Sequence, residues 1–486
     1  MIDGYDVKEG VGASGKRSGT MSDGMVDVPT EWAQQQFGQA ELGDVRRTRR
    51  AVKVAAKMAG HSAGSIPGQM GQWSETKAAY RLFAEPDVTF EKLVKPHWVQ
   101  TRQAAAARPV VLMVQDGSQL DYTHHRSVEG LMPIGDGLGM GLMLHSVLAV
   151  DPTGGGSGGA EVLGLAHQRI WRRRRVPKGE TRTQRKAKQT QARVWLDAVS
   201  AVGSPQAEGA RWIHVCDREA DNFDFYDACR KSGAGFLVRA SQDRRAALGH
   251  QAEAPQGCLL TLARCLPAIG SKRLYVRRRP TSDPGWRTLH VAAAAMTVFP
   301  PWLDRERLQP LRCWVVRVWD DAPGREPIEW VLVCSEPAED ADTALRMAEW
   351  YSCRWLIEEY HKCLKTGCRV ESRQLENLRG LEALIGMLAI VAVRLLQLKQ
   401  QAQMAPDRLA REVVSGEHVR MLAHYWKRPA ATMTVYEFWR RTAMLGGFLA
   451  RRHDGEPGWQ TLWKGWQKLD LMTMGASIML EGQRCG

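Results

Sequence analysis

Two aspartates and one glutamate are the strongest catalytic candidates in the chain. Asp116 and Asp217 each stand where a short apolar run gives out, Pro109–Val114 and Trp212–Val215. Ligands gather at the carboxyl ends of strands in an open α/β sheet. If the two runs are neighbouring strands, their carboxylates approach each other, and like charges so close call for a positive partner. Hard oxygen ligands suit Mg²⁺ or Mn²⁺. An Asp after a strand is also a common turn residue or helix N-cap. Asp221 and Glu219 compete with Asp217, which is preferred as the first acid after its run.

The third acid comes from the spacing over Asp342–Thr366, which predicts one helix ending at Gly367 as a left-handed cap. With Tyr351 at zero and about 100° per residue, Arg354, Glu358, Lys362 and Lys365 share an arc of about 80° with it. Leu356, Cys363, Tyr360, Cys353, Leu364, Ile357 and Trp350 take the opposite side. The apolar side can pack on a sheet while the other presents one carboxylate among three cations and a phenol. Glu359 falls outside the arc, so Glu358 is the candidate. A solvated face laced with Glu–Lys pairs is the plainer alternative.

The rest of the chain supplies the scaffold for these acids. It has 486 residues, 44% hydrophobic and 25% charged. That is globular composition and excludes a disordered or fibrous chain. Lys and Arg number 67 against 53 Asp and Glu, a net charge of +14, with an isoelectric point near 9.4. Such an excess points to a polyanionic partner, nucleic acid or an anionic membrane surface. Mean hydropathy is −0.35, and the longest uncharged apolar run, Ala383–Val393, falls short of the ~20 residues that span a bilayer. No membrane partner is therefore expected. The N-terminus lacks a signal-peptide core. The ten cysteines form no C-x-x-C pair and read as reduced thiols of a cytoplasmic protein.

Residues 1–29, rich in Gly, Ser and Asp, read as a disordered extension, with Met21 and Met25 as alternative starts. Residues 30–105 read as helical. Trp32, Phe37 and Leu42 make an apolar stripe, and Asp44 caps a helix with Arg46, Arg49, Arg50, Lys53 and Lys57 on one side. These cations have few acidic neighbours in sequence, which suits phosphate contact as well as a solvated face. Residues 106–240 alternate strands and helices: Pro109–Val114, His145–Val150 and Ala160–Ile170, a polar helix Thr181–Val202, Trp212–Val215, a helix Phe223–Lys231, then Phe236–Val238. Residues 241–337 read as a β-rich insertion, with short patterns at Leu274–Val276, Leu289–Ala292, Leu311–Trp319 and Trp330–Val333. Residues 338–405 resume the core, Leu381–Leu398 being apolar nearly all round and hence a buried helix. Residues 406–486 are helical, with Trp459, Leu462, Trp463 and Trp466 on one side, a dimer surface or the domain's own core. Gly137–Gly141 leads into a strand and reads as a turn, not a nucleotide loop. His124-His125 lacks partners at metal-ligand spacing.

Tyr351, Arg354, Glu358 and Lys365 stand as Y-x2-R-x3-E-x6-K within Y-S-C-R-W-L-I-E-E-Y-H-K-C-L-K-T-G. This resembles the YREK signature of bacterial insertion-sequence DDE transposases of the cut-and-paste, hairpin-forming type. V-C-D-R-E-A-D at 215–221 and Q-D-G-S at 115–118 resemble the family's two aspartate motifs. The likeness runs from about Trp32 to the C-terminal tryptophans.

The resemblance implies an α/β fold with an RNase H-like mixed-sheet core, interrupted by a β-rich insertion and flanked by helical domains. It implies that Asp116, Asp217 and Glu358 hold two Mg²⁺ ions, with Mn²⁺ an alternative. It implies cleavage at transposon ends, hairpin formation and strand transfer into target DNA by a homodimer. Tyr351, Arg354 and Lys365 are implied to hold phosphates, and Trp330 to stack on a flipped base. Arg46, Arg47 and Arg50 are implied to contact the transposon end, and Arg239 to approach the DNA. A nucleoid-associated protein of the bacterial cytoplasm is expected. One departure is the segment Arg169–Arg193, with eleven basic residues against Glu180, a second DNA surface or a basic loop. A non-catalytic, DNA-binding transposition inhibitor and an endonuclease of the same fold are the alternatives.

Overall fold

The computed structural model describes residues 28–125, 127–155, 159–173, 179, 191–205, 209–276, 285–320, 328–452 and 454–484. Of the expected extension 1–29, residues 1–27 lie outside them, while Val28 and Pro29 already open the first helix; most of the basic segment 169–193 also lies outside them.

Five helices open the chain: α1 (Val28–Phe37), α2 (Val45–Gly60), α3 (Ile66–Met70), α4 (Trp73–Ala84) and α5 (Phe90–Ala106). Asp44 caps α2, its carboxylate accepting from the Arg46 N–H at 2.7 Å. Ser65 and Thr89 cap α3 and α5 likewise.

A sheet follows, formed by β1 (Val110–Asp121), β2 (Met132–Ile134), β3 (Gly139–Gly155) and β4 (Gly159–Trp171). After α6 (Gln191–Val202) come β5 (Arg211–Cys216), α7 (Phe223–Ser232) and β6 (Gly235–Arg239). Gly233 ends α7 at φ 73°, a left-handed cap that glycine adopts without strain. The chain continues through β7 (Arg245–Leu248), β8 (Gly257–Cys258), α8 (Leu259–Cys265), β9 (Gly270–Val276), β10 (Gly285–Val298), β11 (Leu311–Asp320) and β12 (Glu329–Cys334).

All twelve described strands belong to one mixed sheet, ordered β2-β3-β1-β5-β6-β12-β11-β10-β7-β8, with β4 on β3 and β9 on β10. Only β1–β5 and β5–β6 pair in parallel among the described strands. The β-rich segment is therefore no separate body. β12 pairs with β6 through Leu332↔Arg239, so it lengthens the core sheet, and it carries the helix α8. Extended β6 offers an open edge, and pairing satisfies it.

Helices α9 (Ala341–Ser352) and α10 (Trp355–Lys362) come next, then a π turn at Cys363–Gly367. The long helix α11 (Leu378–Met404) packs on α5, β4, α4 and α2. Among the described residues it alone is long and apolar enough to cross a membrane, with mean hydropathy 2.0; 89% of that window is buried inside the fold. Three helices close the chain: α12 (Gly416–Tyr425), α13 (Val435–Leu445) and α14 (Trp459–Arg484). The main core joins the first helices, the inner sheet face and α11, and a smaller core fills the space between α12, α13 and α14. The nine described cysteines are free thiols, mostly buried.

Candidate active site

The single helix expected over 342–366 is broken twice. At its first end the Ser352 hydroxyl bonds the Glu349 carbonyl at 2.6 Å, and the Cys353 N–H is shared among the Glu349, Trp350 and Tyr351 carbonyls. A serine bonding back into the preceding turn bends a helix. At the second break the Cys368 N–H reaches the Cys363 carbonyl at 2.8 Å, an i→i+5 bond. Gly367 is not the left-handed cap expected. A Cβ there would lie 2.7 Å from the Trp463 ring, so the glycine admits that indole. A uniform 100° per residue therefore fails: Arg354 still meets Tyr351 and Glu358, but Lys365 leaves the common arc. Tyr351 is 5% exposed, and Lys365 pairs with Glu371 at 3.4 Å, which also takes the Asp121 N–H beyond the acidic cluster.

Asp116 is not past its strand but within β1, which runs on to Asp121 against β3. What ends there is the parallel ladder with β5, whose last pair is Val114↔Val215. Asp116 and Asp217 each follow by two residues, so they stand side by side, on strands ~4.8 Å apart. Asp217 caps a short 3₁₀ turn, accepting the Glu219 N–H at 2.9 Å, and Asp116 accepts the Gly117 N–H at 2.7 Å.

Arg354 brings in the third acid. Its Nη2 donates to Glu358 Oε1 at 2.7 Å and its Nη1 lies 3.5 Å from Asp116 Oδ2. Burial works against the guanidinium charge, yet Glu358, Tyr351 and Asp116 together raise its pKa. Burial, and then the neighbouring Asp217 charge, push the Asp116 carboxyl up to about 7. Acids crowded in this way suit a bound cation, and their oxygens are the donors Mg²⁺ or Mn²⁺ takes. The residues present thus fit such an ion.

Arg239 and the Tyr351 phenol lie beside each other next to this cluster. Arg239 Nη2 donates to the Glu329 carbonyl at 2.9 Å. Trp330, half-buried on β12, packs its ring edgewise on Tyr351 at 5.2 Å. Asp221 is a structural acid. Buried, it pairs with Arg244 and accepts from the Tyr226 hydroxyl and the Ser241 and Gln242 N–H groups. Glu219 accepts from Gln191 at 2.6 Å.

A buried polar layer that sequence reasoning missed holds α10 on the sheet. Ser146, the register partner of Asp116, bonds His361 Nε2 at 3.2 Å, and Gln168 donates to Ser146 at 2.9 Å and to the Tyr360 hydroxyl at 2.7 Å. On the opposite sheet face His145, Gln115 and His214 form a chain at 3.0 and 2.7 Å. Burial lowers all three histidines to about 3, so they are neutral. Polar residues at regular strand positions were the available signal.

Elsewhere, Arg46 is exposed, but Arg47 pairs with Glu85 and Asp87 at 2.6 and 2.8 Å, and Arg50 with Glu75 at 2.8 Å. The acids scarce nearby in sequence arrive from α4 and the turn after it. In the basic segment, Arg169 and Arg193 both pair with Asp197. Leu462, Trp463 and Trp466 are no dimer surface: they are 1–3% exposed and fill the core, with Trp459 half-buried against Trp463.

Three protein-family models match the chain: a transposase DNA-binding model over residues 29–88, a transposase DDE domain over 180–394, and a transposase Tn5 dimerisation domain over 390–482. The DDE match includes Asp217 and Glu358 and begins after Asp116. Its domain belongs to the RNase H-like superfamily, in keeping with the mixed sheet. The chain carries the three domains of a Tn5-type transposase, in the order DNA-binding, DDE and dimerisation.

Proposed function

We propose that this protein is the cut-and-paste transposase of a bacterial insertion sequence, acting in the nucleoid. It binds the element's ends as a homodimer, cleaves them through a hairpin and joins them to target DNA. The convergence of Asp116 and Glu358 on one guanidinium, with Asp217 beside Asp116, carries this reading.

Asp116, Asp217 and Glu358 would hold two divalent cations, Mg²⁺ or Mn²⁺. Such ions supply Lewis acidity and an activated water for in-line attack on phosphorus. The chain's own groups do the rest. Arg354 releases Glu358 and turns to the phosphate, with Arg239 and Tyr351 fixing its plane. Lys365 takes a phosphate further along the strand. Trp330 gives its face to a base swung out as the hairpin closes, and the stacking recovers part of the few kcal/mol that flipping costs. Residues 30–105 read the transposon end through Arg46, with Arg47 and Arg50 exchanging carboxylates for phosphates. The dimer seam moves from the tryptophans to the open face of α14, where Leu471, Ile478 and Met479 are 66–68% exposed at helical spacing.

The test uses linear DNA bearing the inverted repeats that flank the gene, with Mg²⁺. Hairpin ends on a denaturing gel and joining of pre-cut ends to a plasmid are expected, both lost in Asp116→Asn, Asp217→Asn and Glu358→Gln. Cutting without joining would make the protein an endonuclease. Binding without cutting would make it an inhibitor of transposition.

A further inference from the structure

We infer that His61, His418 and Asp470 form a separate site for a borderline transition-metal cation of the Zn²⁺ class, clamping the DNA-binding helices to the dimerisation helices. His61 follows the last turn of α2, His418 lies in the first turn of α12, and Asp470 is midway along α14. One ligand atom from each lies within 4.8 Å of the other two. His418 Nε2 stands 2.7 Å and His61 Nδ1 3.4 Å from the same carboxylate oxygen.

The His61 contact lacks hydrogen-bond geometry, so a buried ring nitrogen aims at this oxygen without being satisfied by it. Two imidazoles and one carboxylate suit Zn²⁺ or Co²⁺ and disfavour Mg²⁺, which takes oxygen donors. The surroundings fit as well. Ser415 Oγ meets His418 Nδ1, so it can accept that N–H and leave Nε2 free to ligate. Trp466 stacks on His418 at 5.3 Å and Trp439 on Trp466 at 5.4 Å, giving the site an apolar wall. His61, 26% exposed, marks the way in.

Charge around the site is mixed. Asp470 raises the His61 pKa against the effect of burial; Glu417 also raises it and Lys57 lowers it. The Lys57 ammonium is held by the Met70 carbonyl at 2.7 Å. The neighbouring Ser62 bonds the Gly367 carbonyl and accepts from Arg373, so a clamp here bears on the end of the π turn.

The full chain, stripped with chelator, is titrated with Co²⁺ in excess Mg²⁺, which occupies carboxylate-only sites. One Co²⁺ per chain is expected, with visible d–d bands that Zn²⁺ removes. His61→Ala, at the rim of the fold, should weaken binding by at least about tenfold, a change of the size that even outer-shell partners produce. Asp470→Asn should do the same, with far-UV circular dichroism confirming the fold of each. No Co²⁺ bound, equal binding in His61→Ala, or a thiolate charge-transfer band from the cysteines would each overturn the assignment.

Discussion

Arg354 supplies positive charge between Asp116 and Glu358, and Arg354→Gln removes that charge while keeping length and polarity. A net hydrogen bond to a charged group is worth about 1.5–3 kcal/mol, and an exposed ion pair at most about 1. The Arg354, Asp116 and Glu358 side chains are 17%, 20% and 28% exposed, and only the Glu358 contact is short. The expected loss in chelator is therefore about 1–2 kcal/mol. A bound divalent ion neutralises the same carboxylates. It stabilises the folded state by about 2.7 kcal/mol at a hundredfold excess over its dissociation constant. Urea unfolding followed by the 18 tryptophans measures both effects. The variant should be weaker in chelator, gain more from Mg²⁺ than the parent, and approach it at saturation. A deficit of the same size with and without Mg²⁺ would refute the reasoning, since the guanidinium and the cation would then not be serving the same acids.

Asp116 gives a pH signature. Its folded pKa, about 7, lies well above the ordinary carboxylate range near ~4. The stability it contributes is thus present at low pH and lost as pH rises from about 4 to about 7. Without divalents Asp116→Asn should be more stable than the parent at pH 8, and the two should converge below pH 4 in urea titrations. Gly367→Ala drives a methyl to 2.7 Å from the Trp463 ring and should cost about 1–3 kcal/mol, lowering the urea midpoint at constant slope. Arg46→Ala should reduce the salt slope of DNA binding by about one without changing stability. Arg47→Ala should also lower stability, by up to about 1 kcal/mol, through loss of the Glu85 and Asp87 pairs.

Much of the site is legible because its signals are local. An apolar run followed by Asp is visible in six residues, and the Asp44 cap in three. The buried helix Leu378–Met404 announces itself by having no polar face. The positioning layer is different: Gln168 and Tyr360 are 192 positions apart, and neither carries a motif that predicts the bond between them.

Legible along the chain are the apolar runs that lead to Asp116 and Asp217, the starts of α2 after Asp44 and of α7 at Phe223, and the excess of positive charge. These properties depend on a residue and its close neighbours. Folding in three dimensions set that β12 closes onto β6, that Arg47 finds its acids about 40 positions away, and that Leu462, Trp463 and Trp466 turn inward. It also decided that the helix bearing Glu358 breaks on either side of it. Each of those outcomes is a competition between distant partners for hydrogen bonds, charge or buried space, and spacing along the chain does not rank distant partners.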